Sequence, residues 1–501
     1  MTNTFDTDVL ICGAGAAGLS LALDLARRGV NFRLIDKANA PFGGSRGKGI
    51  QPRTLEVFED FGIVDRLAAL GGRYPAQREY RPDGGHADEP MFAEAAATPG
   101  EPYGTPLMVM QGRTEQVLRE RLAELGHSPR YGCVLQGVTQ DAGGVAVSMV
   151  DAGSERFIRA RYLIGADGGR SFVRQALGIG FPGKTLGVRA IVADLALSGL
   201  DRTIWHRFND GDMTRQMALC PLAKTDLFQL QAPIPAEGET DLSVAGLQAF
   251  ITARASEGVD IVVHDVSWAS AYAMNARLAD SYRTRHVFLV GDAAHIHPPT
   301  GGQGLNTSVQ DAYNLGWKLA AVLACAPDAL LDTYEAERRP IAAAMLGLST
   351  GLLEAAKRGD MRRGREVQQL DLAYPTSSLA FEAPERRGGI LAGDRAPDAP
   401  LTGAGGQPVR LFDLLKGPHW TLIGYETDHA AWAPRRGLRI HAVGSRGDLI
   451  DTHGHFHNAY GLGPGDWVLV RPDGYVGAIV SAEHPAALND YLQTVGLRED
   501  V

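Results

Sequence analysis

A glycine-rich turn between an apolar strand and a helix constrains this chain more than any other feature of its sequence. The apolar run Val9–Cys12 is followed by the glycines of Gly13–Gly18, and Ala16–Arg28 has the apolar spacing of a helix. A second apolar run, Asn31–Ile35, ends at Asp36, which lies 18 residues after the last glycine of the turn. This β-α-β unit places the chain in the α/β class.

The residues of this turn suit the binding of a dinucleotide. Gly13 permits a tight turn, and Gly15 lets a pyrophosphate approach the helix N-terminus, where free N–H groups and the helix dipole favour an anion. Asp36 can accept hydrogen bonds from a ribose. An ordinary glycine-rich turn is the alternative, and the pattern does not distinguish NAD from FAD.

Composition excludes several classes of protein. The chain has 501 residues, which predicts two to four domains, and 45% of them are hydrophobic, which argues against disorder. Its 61 glycines follow no G-x-y period, so collagen is excluded. The net charge of −9 argues against nucleic-acid binding, and Asp24 interrupts the apolar stretch Val9–Ala26, which argues against a membrane span.

The four cysteines and the start of the chain bear on its compartment. The cysteines are far apart and form no C-x-x-C pair, which argues against a disulfide framework or a zinc site. The start of the chain lacks the basic region of a signal peptide. We therefore expect a cytoplasmic protein.

A second glycine cluster, Gly165–Arg174, follows the strand-like run Tyr162–Ile164 and contains Asp167 and Gly168. It is typical either of a loop that packs beside phosphates or of a plain turn before a helix.

A third cluster begins where an apolar run ends at Asp292, whose carboxylate can bind a polyol. Glycines at 301, 302 and 304 leave room for a flat ligand against the backbone, and Asn306 is predicted to cap the helix that continues over Ser308–Leu323. The N-terminus of that helix would face negative charge on the ligand. His295 and His297 have no acidic partner nearby in the sequence, so we expect no metal.

These three motifs, in this order and spacing, resemble the class A flavoprotein monooxygenases, the para-hydroxybenzoate hydroxylase-like group. The stretches Ser45–Glu56, Gln310–Leu319 and Tyr334–Pro340 carry the same resemblance, which covers roughly residues 6–350. Lys48 departs from the pattern, because a small residue is frequent there. The tail resembles the thioredoxin-like domain of the phenol and polyketide hydroxylase branch; without C-x-x-C, it predicts a packing or oligomer role rather than thiol chemistry.

The resemblance implies a Rossmann-type FAD-binding domain interleaved with a mixed β-sheet substrate domain, followed by a small thioredoxin-like α/β domain. The predicted FAD-binding domain comprises residues 1–75, 105–180 and 280–360, and the substrate domain residues 76–104 and 181–279. A linker over 361–392, where composition changes, precedes the C-terminal domain at 393–501.

The resemblance also implies an activity. An enzyme of this group uses NADPH or NADH to reduce FAD, adds O2 at flavin C4a, and transfers one oxygen of the hydroperoxide to a phenolic or polyketide-type ring. Baeyer–Villiger-type insertion or antibiotic inactivation is the first alternative, and a non-catalytic flavin-containing binder is the second. The sequence motifs of the usual Baeyer–Villiger group and of the flavin halogenases are absent.

Site residues follow by the same resemblance. The positions that match the family's cofactor contacts are Gly13, Gly15, Ala17, Gly18, Asp36, Lys37, Arg46, Gln111, Asp167, Gly168, Asp292, Pro299, Gly301, Gly302, Gly304, Leu305 and Asn306. Trp268 and Tyr272 are candidates for the substrate pocket, with core packing as the equal alternative. No general base is identified, and the expected partner is a small aromatic molecule bound by a monomer or homodimer.

Overall fold

The computed structural model describes residues 4–81, 83–92, 96–209, 212, 214–299, 301–357, 363–384, 386, 388–445 and 447–499. Within these residues three large sheets organise the chain, and a short two-stranded sheet joins Gly49–Ile50 to Leu107–Met108.

The first sheet contains the β-α-β unit that the sequence predicts. Its strands run in the order Arg283–Thr284, Val287–Leu289, Ser154–Gly165, Thr7–Cys12 and Phe32–Ile35, and Cys133–Gln140 and Val145–Asp151 extend from Ser154–Gly165. The last four strands of that order are parallel, as a β-α-β unit requires.

Helices cover this parallel sheet because their apolar faces bury against it. Ala16–Arg27 packs on both Gln111–Glu124 and Gly304–Leu323, and one apolar core joins the three helices to the strands. The other helical segments of this part are Pro52–Asp60, Val64–Leu70, Phe172–Ala176, Gly291–Ala293, Asp328–Leu331, Asp332–Lys357 and Arg365–Val367.

The second sheet is almost entirely antiparallel and has two unlike faces. Its strands run in the order His295–Ile296, Val262–Leu278, Gly183–Ser198, Leu227–Ile234, Met217–Pro221, Ile204–Phe208, Ala76–Tyr80 and His86–Glu89. Leu219, Leu230 and Ala193 are paired neighbours on one face, which packs on Leu247 and Ile251 of the helix Val244–Thr252. The opposite face is turned towards the first sheet and its loops.

The third sheet forms the C-terminal α/β domain. Its strands run in the order Phe381–Ala383, Val476–Val480, Trp467–Val470, Trp420–Tyr425, Leu438–Val443, Leu449–Ile450, Pro400–Gly403 and Pro408–Arg410. The helical segments are Leu411–Leu415, His429–Ala431, His455–Tyr460 and Pro485–Thr494. The strand Phe381–Ala383 lies in the interval predicted as a linker, yet it pairs with this sheet. Residues 361, 362, 385 and 387 of that interval lie outside the described residues.

Buried charges join the C-terminal domain to the FAD-binding part. Glu337 accepts from Arg471 at 2.7 and 2.9 Å and from the Lys318 ammonium at 2.7 Å. Asp473 accepts from the Trp317 indole at 3.0 Å, and that indole meets Trp420 edge to face. Removal of one partner from a buried ion pair is strongly destabilising, so these contacts hold the two parts together at this point.

Two further observations concern the chain as a whole. Among the described residues no helix is long and apolar enough to cross a membrane. All four cysteines are described and none forms a disulfide. The fold class is as predicted, while the residue boundaries of the three domains stay a prediction.

Candidate active site

The first glycine turn has the close packing that its sequence predicts. Gly13 has a φ of +112°, and a Cβ there would collide with the carbonyl oxygen of Ala166. A Cβ at Gly18 would collide with the carbonyl oxygen of Gly13. Gly15 differs, because the nearest atom to a Cβ there is Glu115 Oε1, at 3.8 Å. Gly13 and Gly18 therefore serve the packing of the turn, whereas Gly15 keeps a space open.

That space lies at the N-terminus of the helix Ala16–Arg27. Gly15 occupies the N-cap position and has no side chain to cap the helix. The Ala16 N–H is in reach of the Glu115 carboxylate, and the next backbone N–H groups of the first turn are available to a ligand. Ala17 lies in this turn. A helix N-terminus with open space before it is suited to a pyrophosphate.

Asp36 stands beside this turn at the end of its strand. Its carboxylate accepts from the backbone N–H of Ala14 at 2.6 Å and of Ala38 at 2.7 Å. These bonds fix the carboxylate near the turn, where a ribose hydroxyl can reach its free lone pairs. Lys37 is exposed next to it.

Asp167 has one oxygen in use and one without a partner. Oδ2 accepts from the N–H groups of Phe172 at 2.7 Å and Val173 at 3.1 Å, which caps the helix Phe172–Ala176. Oδ1 is buried and has no hydrogen-bond partner among the described residues. Because buried acceptors are normally satisfied, this oxygen is suited to a donor from a bound group. Gly168 follows with a φ of +80°.

A buried ionic network around Asp311 supports the turn that contains Asp292. Asp311 accepts from the Gly291 N–H at 3.2 Å, from His295 Nε2 at 2.6 Å and from Arg338 Nε at 2.8 Å. Burial opposes ionisation of Asp311, but His295 and Arg338 outweigh it and lower the pKa of that carboxyl. The network fixes the backbone that presents Asp292.

The Asp292 carboxyl is open to solvent, yet surrounding protein raises its pKa, an effect that His295 and Arg46 partly offset. It therefore lies on the floor of a cleft, where a hydroxylated chain can reach it.

The histidines of this turn form a hydrogen-bonded chain. His297 Nε2 lies 2.9 Å from His295 Nδ1, and burial followed by the charge of His295 lowers the pKa of His297 to about 3. The described part of the chain holds no cluster of three metal-ligating side chains.

The prediction that Asn306 caps the helix is wrong, while its contact with the cofactor stays a prediction. The helix spans Gly304–Leu323, so it begins earlier than expected and Asn306 lies inside its first turn, behind the N-cap residue Gln303. Its side chain bridges two loops instead: Nδ2 donates to the carbonyls of Gly302 at 2.7 Å and Gly49 at 2.9 Å, and Oδ1 accepts from the Gln51 N–H at 2.8 Å. A side chain that joins three backbone segments cannot also cap the helix.

The loop before this helix leaves backbone open to a ligand. Gly301 and Gly302 have φ values of +82° and +65°, and nothing lies within 4 Å of a Cβ at Gly304. Pro299 is exposed at the start of the loop. Leu305 Cδ1 reaches to 4.0 Å from a Cβ at Gly47, which brings the loop against the segment that contains Arg46.

Arg46 and Gln111 border the same cleft. The Gln111 amide oxygen accepts from the Gly47 N–H at 3.1 Å, and its amide donates to Glu115 at 2.8 Å. The Arg46 guanidinium is exposed and lies 5.8 Å from the ring of Trp268. Gln111 thus braces the loop that carries Arg46.

Trp268 and Tyr272 lie on the same face of the second sheet, the face turned towards these loops. Trp268 is opposite Asp194 and Tyr272 is opposite Ala190 in the antiparallel pairing. Trp268 meets the ring of Phe42 edge to face, with centroids 5.3 Å apart. Both are half-buried, and burial raises the pKa of Tyr272 to about 12, so its hydroxyl stays protonated at neutral pH.

Sequence reasoning missed the polar part of this face. One row across the strands contains Gln77, Trp205, Cys220, Gln229, Asp194 and Trp268. Asp194 accepts from the Ser45 N–H at 2.7 Å and from its hydroxyl, and Gln229 donates to the same hydroxyl at 2.6 Å. Glutamines at alternate positions of an otherwise apolar strand, 229 and 231, are the signal that could have predicted a polar wall.

The structure brings the predicted segments to one cleft. The first turn touches Ala166, Gly291 stands against Ala17, and Arg46 lies between Trp268 and the Asp292 turn. Lys37 and Pro299 are at its exposed edges.

Comparison with known families identifies the family of this chain. Residues 6–349, more than half of the chain, match the model of the FAD binding domain, and residues 390–496 match the aromatic-ring hydroxylase C-terminal domain. The chain therefore belongs to the FAD-dependent aromatic-ring hydroxylase family. It is a flavin-dependent monooxygenase, and its cofactor is FAD.

Three known proteins illustrate the relationship. A flavin-dependent monooxygenase of Mycobacteroides abscessus is 40% identical over 97% of this chain and 99% of its own. The 12-dehydrotetracycline 5-monooxygenase/anhydrotetracycline 6-monooxygenase of Streptomyces rimosus is 34% identical over 94% of both chains. The structure of aklavinone-11 hydroxylase with FAD and aklavinone is similar with a TM-score of 0.84, at 28% identity over 99% of both chains.

Proposed function

We propose that this enzyme hydroxylates a fused-ring phenol of the polyketide type, with a reduced nicotinamide nucleotide and O2 as co-substrates. The observation that carries the proposal is the polar, aromatic face of the second sheet, which stands opposite the cofactor cleft. Trp268 and Tyr272 offer ring surfaces on that face. Ser270 lies between them on the same strand, and Gln231 lies in the row of Ser270 two strands away, so both add hydrogen-bonding groups. A flat substrate with several oxygens is complementary to such a wall.

The residues of the cleft fit FAD. The open N-terminus of Ala16–Arg27 would hold its pyrophosphate, Asp36 its adenosine ribose and Asp292 its ribityl chain. The open backbone at Gly304 leaves space for its ring system, and the free Asp167 oxygen can accept one more hydrogen bond. FAD supplies the two-electron reduction and the activation of O2, while the protein binds, orients and excludes water.

The relatives support the substrate class. Those named above act, by their names, on 12-dehydrotetracycline, anhydrotetracycline and aklavinone, and a further relative from Streptomyces glaucescens is a tetracenomycin A2 monooxygenase-dioxygenase, 33% identical over 95% of this chain. Rifampicin monooxygenase of Streptomyces venezuelae is 38% identical over 68% of this chain, which keeps antibiotic inactivation as the second candidate.

The test is a substrate panel with the purified holoenzyme. NADPH and NADH oxidation is measured with simple phenols, hydroxyanthraquinones, a tetracycline and rifampicin, in isotopically labelled O2. We expect fused-ring phenols to stimulate oxidation most and to gain one labelled oxygen as a ring hydroxyl. A lactone or ester product would contradict hydroxylation, and stimulation by rifampicin alone would support antibiotic inactivation. Binding without any stimulated oxidation would indicate a non-catalytic flavoprotein.

The proposal includes the predicted organisation of the chain. We propose the domain boundaries given above and a cytoplasmic monomer or homodimer. The buried contacts of Glu337 with Arg471 and of Trp317 with Asp473 join the FAD-binding part to the C-terminal domain, and they support a packing role for that domain. Limited proteolysis tests the boundaries, and sedimentation of the holoenzyme tests the oligomeric state.

A further inference from the structure

Lys48 is a buried cation that has no carboxylate in direct contact among the residues described by the structure. Its side chain is 8% exposed, its ammonium donates to Gln229 Oε1 at 2.5 Å, and it lies 4.4 Å from the ring centroid of Trp205. No carboxylate within the described ranges comes within 4 Å of the ammonium. An ammonium has three donors, and one of them has a hydrogen bond here.

The groups around Lys48 offer its ammonium no direct ionic partner among the described residues. Asp194 acts on the ammonium only at longer range: Ser45 donates two hydrogen bonds to its carboxyl, and burial raises the pKa of that carboxyl, an effect that Ser45 and Lys48 partly offset. Burial also raises the pKa of the Cys220 thiol and of the Tyr74 hydroxyl, so both stay neutral. In the next row of the same sheet face, Arg207 and Glu79 form an ion pair with each other at 3.7 Å, so Glu79 already has a cationic partner.

A buried charge without a direct ionic partner is costly, so a purely structural role explains Lys48 poorly. A methionine would fill the same volume against Trp205 without desolvating a charge. Burial lowers the pKa of Lys48, as expected of an ammonium that lacks an anion. Ionisable groups of this kind are concentrated at functional sites.

The position of Lys48 connects it to the substrate wall. Gln229 Oε1 accepts from the ammonium and also from the amide of Gln231, at 2.8 Å. Gln231 is half-buried and lies in the row next to Gln229, towards Ser270 and Tyr272. The two amides therefore lead from the ammonium to the part of the wall that a substrate can touch.

We propose that Lys48 is a specificity-determining residue whose ammonium receives an ionised hydroxyl oxygen of the ring substrate. The inference rests on the proposed function, because it concerns the same cleft and the same class of substrate. The substrate hydroxyl loses its proton to water as it binds, and the resulting oxygen anion serves as the direct counter-ion of the Lys48 ammonium. Ionisation also raises the electron density of the ring, which oxygen transfer to a ring requires.

The test uses a dye that reports its own ionisation. Alizarin, 1,2-dihydroxyanthraquinone, changes colour when a hydroxyl ionises and can be read at wavelengths beyond the flavin band. It is titrated with pH in the presence of the holoenzyme, and 1,2-dimethoxyanthraquinone serves as a ligand that cannot ionise. The variants are Lys48→Met, Lys48→Gln and Lys48→Arg, with Lys184→Met, an exposed lysine of the same sheet, as the matched control.

We expect the native holoenzyme and Lys184→Met to lower the apparent pKa of bound alizarin by about one unit or more, a tenfold gain in ionisation. Lys48→Met and Lys48→Gln should abolish that shift and weaken alizarin binding about tenfold, with the dimethoxy compound bound equally by all. Lys48→Arg should restore part of the shift. FAD content and circular dichroism verify the fold of each variant.

Three results would overturn the proposal: no shift with the native holoenzyme, the same shift in both neutral variants, or no binding of alizarin. The proposed function is judged separately by ring hydroxylation of the panel. If hydroxylation proceeds with an unchanged substrate preference in Lys48→Met, the function stands and the role of Lys48 is wrong. If bound alizarin ionises in a Lys48-dependent manner but no ring is hydroxylated, the role of Lys48 stands and the proposed function is wrong.

Discussion

Replacing Gly15 with valine should separate cofactor binding from folding. The backbone of Gly15 has a φ of −81°, which any residue adopts, and the nearest atom to a new Cβ lies at 3.8 Å. The valine methyl groups would extend into the space before the helix Ala16–Arg27. Without FAD, the Gly15→Val protein should therefore fold as the native protein does, while its methyl groups block the space that the FAD pyrophosphate would occupy.

The magnitude follows from the bonds that the pyrophosphate loses. A hydrogen bond to a charged group contributes about 1.5–3 kcal/mol, so loss of one or two costs about 3 kcal/mol. Because about 1.4 kcal/mol is a factor of ten, the Kd for FAD should rise about a hundredfold. Titration of the apoprotein with FAD, followed by flavin fluorescence, measures this change, and the urea midpoint without FAD measures the fold.

Two variants serve as controls. Gly347→Ala adds a Cβ in open space on an exposed helix face, so it should leave the Kd for FAD unchanged and should not lower the urea midpoint, since alanine favours a helix over glycine. Gly18→Ala places a Cβ on the Gly13 carbonyl oxygen and should lower the urea midpoint even without FAD. The reasoning is refuted if Gly15→Val binds FAD as tightly as the native protein, or if it unfolds as easily as Gly18→Ala.

Three further predictions follow from the buried polar groups of the site. Asp292→Ala should purify with little FAD because the ribityl partner is lost, and full yellow FAD content would contradict this. Arg338→Met should lower the free energy of unfolding by about 3–5 kcal/mol because it strips Asp311 of a buried partner, whereas Arg66→Met, in an exposed pair with Glu124, should cost about 1 kcal/mol or less; equal urea midpoints would refute it. The pKa of His297 is about 3 in the folded protein against about 6.5 unfolded, so its contribution is full above pH 6.5 and is lost as pH falls towards 3. Between pH 7 and 5 the unfolding free energy of the native protein should therefore fall by about 1 kcal/mol more than that of His297→Gln. The difference is smaller than for a fully buried histidine because the His297 ring is partly exposed. Parallel pH dependences of the two proteins in urea titrations would count against this prediction.

The sequence by itself determined the local elements and the first glycine turn. Strand Thr7–Cys12 and helix Ala16–Arg27 were predicted to within two residues, because strands and helices have short periods that a chain displays locally. The positive φ of Gly13 and the N-cap position of Gly15 also follow locally, since both belong to the turn between the strand and the helix.

The wall of the cleft was decided by the tertiary structure alone. Asp194 meets Ser45 across 149 positions, and Gln229 meets Lys48 across 181, and no periodic pattern connects such pairs. The same holds for Asn306, whose side chain bridges to Gly49 across 257 positions and not to its own helix as a cap. Periodicity fixes which residues share a face of one strand, but the partner of that face is chosen by packing and by the pairing of buried polar groups, which exist only in the folded chain.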